Sequence, residues 1–261
     1  MTEKQAPADL QRERIKKLEA ILERLSAGQL FWLEKIINVF DVPGQYEIAH
    51  SDIITADVLH DFGDALKIHH AFSIEPFSKD KFEYVLEQVL RSRQVDAALA
   101  PTGNPGHDIT IRNQRISLKT QADRNIRSEE IWISKFMELG GGTWGSNPND
   151  LVGLRDQFLR HLEKYDRILT LRALSKVPDW RYELVEIPKS IFERASLGRL
   201  EMMTSSRQSP KPGYCYVSDS KGAPMYQLYF DGGGERKLQV KKLLKSLCTV
   251  HATWAFSIPK I

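Results

Sequence analysis

The sequence predicts an α/β (α+β) fold, a mixed central sheet flanked by helices with a helical region ahead of it. Three observations carry that expectation. Four stretches with helical apolar spacing precede any strand signal; a turn-rich segment then opens a hairpin of alternating apolar residues; and short apolar runs separated by turns follow, with two more helical stretches among them. With 261 residues and 41% hydrophobic composition, the chain can bury a large core as one domain or as a core with a smaller appendage.

Taken in order, residues 8–40 read as two helices: Leu10, Ile15, Leu18, Ile21, Leu22 and Leu25 recur among charges, Ala27-Gly28 breaks the pattern, and Phe31 to Phe40 resumes it until Pro43-Gly44. Phe31, Trp32, Phe82 and Phe158 are expected in the core. A third helix is expected over Ile54–His70 and a fourth over Lys79–Arg91, where Phe82, Val85, Leu86, Val89 and Leu90 share one face. The turn formers of Ala100–His107 lead into Ile109 and Ile111, an Asn113-Gln114 turn, then Ile116 and Leu118, which reads as a hairpin. Strands are expected at 131–136, 167–174, 182–187, 214–217, 226–230 and 253–258, with helices at 151–165 and 189–195. Gly140-Gly141-Gly142 marks a flexible loop. It lacks the Gly-Lys-Ser/Thr of a phosphate-binding loop, so no nucleotide cofactor is expected.

Composition excludes several classes. No apolar run approaches the roughly 20 residues of a membrane span, and the charged N-terminal stretch has no apolar signal-peptide centre, so a cytoplasmic protein without membrane partners is expected. Cys215 and Cys248 stand apart, as reduced thiols and not as a zinc or disulfide framework. His69, His70 and His107 likewise have no matching ligand spacing and read as surface or satisfied core groups. A net charge of +3 announces no nucleic-acid partner by itself; the distribution of the charge must do so.

The hairpin carries the chemistry. Asp108 opens its first strand and Lys119 lies near the end of its second, after Ser117 and Leu118. Alternation puts Ser117 and Lys119 on one face with Leu118 pointing into the core, and pairing across the turn returns Lys119 toward Asp108. A carboxylate and an ammonium around one point suit a metal-dependent phosphodiesterase, which needs hard oxygen ligands and a cation near the attacking water. The rival reading makes Asp108 a turn residue and Lys119 a strand-edge charge.

The runs Gly106-His-Asp-Ile109 and Ile116-Ser-Leu-Lys-Thr120, preceded by a helix containing Phe82-Glu-Tyr-Val-Leu-Glu87 and followed by Arg181–Lys189, resemble the PD-(D/E)xK nucleases, in particular type II restriction endonucleases. The resemblance spans roughly Phe82 to Lys189 and implies a restriction-endonuclease-like sheet. It divides the chain into an N-terminal helical region (1–76) packed on a core (77–195) that holds the site, and a strand-rich region (196–261), in one continuous domain. It implies Mg²⁺ held by Asp108, Glu87 and the Leu118 carbonyl, Lys119 beside the attacking water, cleavage of double-stranded DNA leaving 5′-phosphates, and a homodimer. On the helix Glu87 is preferred to Glu83, one turn earlier on the same face; Ser117 departs from the pattern, which has Asp or Glu there, and a carboxylate from Glu129, Glu130 or Glu87 could serve in its place. The resemblance around Ser134–Leu139 points to a short GC-rich palindrome as target. A monomeric nickase of the same fold and a DNA-binding protein that does not cut are the alternatives, and a metabolic enzyme with a chance hairpin is the third.

DNA contact requires cations for phosphates and Arg, Asn or Gln for base edges. Two regions qualify. One is Gln121 to Arg127, with Arg124, and Lys135 beyond it; the other holds Arg207, Gln208 and Lys211, then Arg236, Lys237, Lys241, Lys242 and Lys245 after the second glycine run. The rival reading of the second region is the solvated face of an ordinary helix.

Overall fold

In the computed structural model, residues 7–123, 126–140 and 144–258 are described. The chain divides between Pro43 and Gly44 into two compact units. The first contains α1 (Pro7–Leu22) and α2 (Ala27–Phe40). The chain enters α2 through a capping box: the Ser26 side chain accepts from the Gln29 N–H while the Gln29 side chain accepts from the Ser26 N–H. Phe31 and Trp32, expected as core, are 57% and 53% exposed on this helix.

The second unit runs through β1 (Gly44–Ile48), α3 (Ala56–Phe72), α4 (Lys79–Ser92), β2 (Ala97–Leu99), β3 (Ile109–Ile111), β4 (Gln114–Gln121), β5 (Glu130–Glu138) and α5 (Asp150–Leu162). It continues with β6 (Arg167–Ser175), β7 (Asp179–Glu186), α6 (Lys189–Glu193), β8 (Arg199–Met202), β9 (Gly213–Ser218), β10 (Pro224–Asp231), β11 (Lys237–Leu244) and β12 (Thr249–Ser257). The architecture is mixed α/β, but it has two sheets where one was expected. The order of the first is β1-β12-β7-β6-β4-β3-β2 and that of the second β5-β11-β10-β9-β8. Every pairing is antiparallel except β4 with β6. Parallel neighbours need a long crossover, and here it carries β5 and α5, so the chain passes over the site between two adjacent strands of one sheet.

Two apolar layers enclose the first sheet. On one face, Leu118, Leu169 and Leu184 pack with Phe62 and Leu66 of α3 and Phe82 and Leu86 of α4. Thus α3, expected in a preface reaching residue 76, supplies core to the second unit. On the other face, Ile168 and Val185 pack with Phe158 of α5, Phe192 of α6 and the inner side of the second sheet. His70 is a satisfied core group, bonded to the Ser73 carbonyl and the Tyr182 hydroxyl and stacked on Trp180.

The hairpin forms one residue earlier than the sequence suggested. Its two-residue turn is Arg112-Asn113, with φ of 47° and 65°, and Ile111 faces Gln114. Two left-handed residues make the turn whose twist matches paired strands. The resulting register, Ile109 opposite Ile116, sets Asp108 beside Ser117. Strands β1, β2, β8 and β11 escaped the sequence reading. Three are short, and in β11 the lysines alternate with Leu238, Val240 and Leu243, which point to the core, so the basic run that reads as a solvated helix is a strand. Of the glycines at 140–142, Gly140 is described, with φ 67°, and the other two lie outside the described residues.

Candidate active site

The hairpin positions an acid with great economy of chain. The Asp108 N–H donates to the Ile116 carbonyl at 2.9 Å, which pins the residue at the mouth of β3. One carboxylate oxygen, Oδ2, accepts from the Leu118 N–H at 2.6 Å and the Ser117 hydroxyl at 3.3 Å; the other, Oδ1, accepts from Lys79 Nζ at 2.7 Å. Lys119 Nζ donates to Ser117 Oγ at 2.9 Å, lies 4.0 Å from Asp108 Oδ2, and sits 5.3 Å from the centre of the Phe136 ring. Ser117, fully buried where the motif has an acid, therefore links the aspartate to the lysine instead of presenting a second carboxylate.

Asp108 separates two openings. A cavity of about 600 Å³ on one side is lined by Asp108, Lys119, Lys79 and, from α5 and the turn after it, Arg160, His161 and Lys164. A smaller cleft of about 320 Å³ on the other side is lined by Asp80, Glu83, Tyr84 and His107 with Asp108. The Lys79 ammonium bridges them electrostatically, bonded to both Asp108 and Glu83. Burial pushes the Lys119 ammonium down to about 8 although Asp108 pulls the other way. Burial and the adjacent Lys119 charge push His161 down to about 4, leaving it neutral at pH 7. Lys79 is held above the ordinary lysine range: burial lowers it, but its bonds to Asp108 and Glu83 more than compensate.

Of the acids singled out in the sequence, Glu87 is not brought to Asp108. It is buried, accepts from Arg91 at 2.9 Å and Gln88 at 3.0 Å, and lines neither opening. Glu83, one turn nearer the start of α4, is at the level of Asp108. Glu130 is taken up by Arg127 and the Trp132 indole, and Glu129 is exposed in the turn before β5. Among the described residues no three His, Cys, Asp or Glu side chains cluster as a metal site. The donors available are Asp108, Glu83 and backbone oxygen, and they suit a magnesium-like ion, which takes one or two carboxylates and keeps several waters. A cationic ammonium already lies between the two carboxylates, and an extended residue's C=O lies on the same strand edge as its N–H, which puts the Leu118 carbonyl on the Asp108 side.

The expected DNA contacts differ in their surroundings. Gln121 is removed from that role: it is buried and accepts from Arg172 Nε at 2.8 Å, inside the protein. Lys211 is half-buried, its ammonium donating to the Ser206 carbonyl. Arg124 lies outside the described residues. Arg127, Lys135 and Lys237 sit at the surface or near it in pairs with Glu130, Glu138 and Glu235. Arg207 and Gln208 are exposed in the loop before β9, and Arg236 occupies a left-handed position before β11. Lys241 lies 3.7 Å from the centre of the Tyr229 ring. The cationic groups of α5 went unnoticed in the sequence. Their signal was the 157, 160, 161, 164 spacing of Gln, Arg, His and Lys on one helix face, but only the crossover shows that this face meets Asp108.

Comparison with known proteins identifies the family. Residues 18–256 match the SmaI family, type II site-specific deoxyribonucleases. The chain is 44% identical over 228 residues to the type II restriction enzyme SmaI of Serratia marcescens, covering 86% of this chain and 90% of that protein. No solved structure matches. Enzymes of this type generally require a divalent metal. A family match across nearly the whole chain, with the acid–lysine hairpin inside it, shows that the chain belongs to the SmaI family of type II site-specific deoxyribonucleases.

Proposed function

We propose that the enzyme hydrolyses both strands of a symmetric duplex site with Mg²⁺, leaving 5′-phosphates, through a site of the PD-(D/E)xK type centred on Asp108 and Lys119. The observation that carries this reading is the convergence of Asp108 and Lys119, linked through the buried Ser117 hydroxyl, on a cavity large enough for a phosphodiester and rimmed by cations. Asp108, Glu83 and the Leu118 carbonyl would hold the ion, which supplies Lewis-acid polarisation of the phosphate and a more acidic water. Glu83 takes the place expected of Glu87.

The chain's own groups do the rest. Lys119, a buried ammonium lowered to about 8, hydrogen-bonds the attacking water and a non-bridging phosphate oxygen, and Ser117 fixes its direction. Arg160 and Lys164 grip the phosphates flanking the scissile one, and neutral His161 adds a hydrogen bond without charge. Arg207 and Gln208 remain the candidates for base contact, being exposed and free to reach an edge. Cutting two strands related by a two-fold axis calls for two such sites, hence a homodimer.

Plasmid digestion with and without Mg²⁺ tests the assignment, using wild type, Asp108→Ala, Lys119→Ala, Glu83→Gln and Glu87→Gln. Discrete Mg²⁺-dependent fragments, lost in the first three variants and retained in Glu87→Gln, are expected. Retention in Glu83→Gln with loss in Glu87→Gln would return the metal role to Glu87, and salt-sensitive binding by a wild type that never cuts would reject the catalytic reading.

A further inference from the structure

We infer that Lys79 is the resident counter-cation of the metal-free site: its ammonium joins Asp108 to Glu83 until a divalent ion displaces it, and then turns to the DNA phosphate in the larger cavity. This rests on the metal reading above. Lys79 Nζ lies 2.7 Å from Asp108 Oδ1 and is bonded to Glu83 as well, so one cation already occupies the position between the two carboxylates. Those carboxylates are 17% and 19% exposed, which would leave them repelling each other in a semi-buried setting without it.

The helix gives this lysine no reason to be there. Lys79 is the first residue of α4, after the Ser78 cap, where the macrodipole disfavours a cation, and its order ahead of Glu83 is the weaker one for an i, i+4 pair. A local rule broken at a functional site points to a role outside the helix. The ammonium is also able to leave. Its side chain is 39% exposed, on a flexible stem, and it lines the same cavity as Lys119, Arg160 and Lys164, where the phosphate is expected. Lysine, a compact charge with rotatable donors, suits such an exchange better than a guanidinium fixed by a fork of bonds.

Calorimetric titration with Ca²⁺, without DNA, tests the exchange in wild type, Lys79→Met, Lys79→Arg and the double variant Lys79→Met/Asp108→Asn, with near-ultraviolet circular dichroism confirming native packing. Removing a competitor held by two charge-assisted hydrogen bonds should tighten Ca²⁺ binding about tenfold or more in Lys79→Met. Lys79→Arg, which keeps a cation, should stay near wild type. Binding by natively packed Lys79→Met that is no tighter than wild type overturns the inference. Tight binding that survives Asp108→Asn instead overturns the placing of the metal at Asp108. The second half of the exchange is read from duplex binding in Ca²⁺: Lys79→Met should lower the slope of log affinity against log salt by about one, and an unchanged slope would deny the ammonium its phosphate.

Discussion

The parallel β4–β6 pair carries two clusters of buried charge only two residues apart, and they have opposite characters. At Lys119, opposite Thr170, the ammonium has one hydrogen bond, a carboxylate 4.0 Å away, and an opening beside it. At Gln121, opposite Arg172, the guanidinium is saturated. Its Nε donates to Gln121, Nη1 to Glu183 and the Ser128 carbonyl, and Nη2 to the carbonyls of Arg127 and Glu130, which uses the five donors of the group. Lys245 satisfies the other side of Glu183. Burial of charge is common to both clusters and so does not mark function. The mark is a charge left partly unsatisfied beside a cavity, where, on the function proposed above, the missing partner is substrate.

The difference can be broken from either side. The largest expected effect is on the reaction: Lys119→Met or Asp108→Asn should slow single-turnover cleavage on the order of 10⁴-fold, about 5 kcal/mol, while leaving the fold intact. Arg172→Met should do the reverse. It strands Glu183 in the interior, so guanidinium unfolding should show a loss of about 4 kcal/mol, most of which a second change, Glu183→Leu, restores. A stability loss under 1 kcal/mol for Arg172→Met would mean that the two clusters are not opposed as described.

A smaller effect has the opposite sign. Lys119 is lowered to about 8 from an ordinary 10.5, so the folded protein binds fewer protons than the unfolded chain between these values, and stability rises with pH across that window. At pH 7 the charged, buried ammonium is a cost. Lys119→Met should therefore stabilise the protein by about 1–3 kcal/mol at pH 7, the gain shrinking as pH climbs from 8 toward 10.5. A destabilised Lys119→Met at pH 7 would show that this lysine is structural, like Arg172. The smallest effect sharpens the cavity side. Arg160→Ala and Lys164→Ala should each weaken duplex binding in Ca²⁺ by about 1 kcal/mol and each lower the salt slope by about one, whereas Lys237→Ala, already paired with Glu235, should change little.

Much of the site was legible because its parts are neighbours in sequence. The Asp108 hairpin is closed by a two-residue turn, and alternation alone puts Ser117 and Lys119 on one face with Leu118 on the other. The helices followed from apolar spacing: α4 begins at Lys79, ahead of its Phe82, Leu86 and Leu90 stripe. Periodicity reports which face a residue occupies, but not how deep along the element its partner lies. That is why Glu83 and Glu87, a turn apart on one face, could not be separated by sequence, whereas in the structure Glu83 and not Glu87 shares the Lys79 ammonium with Asp108. Likewise Gln121 shares a face with Lys119, and nothing local shows that Arg172, 51 positions later, covers it.

What the sequence by itself determined is therefore the hairpin, its acid and lysine, and the helices, while the nuclease reading came through the resemblance those runs carry. All depend on contacts a few residues long, where turn geometry and side-chain period leave little choice. Only the tertiary structure decided that the strands form two sheets, that the crossover lays Arg160, His161 and Lys164 over Asp108, and that Lys79 holds Glu83 against it. Those arrangements depend on pairings between distant segments, selected by the joint burial of whole faces, and no single segment carries the information.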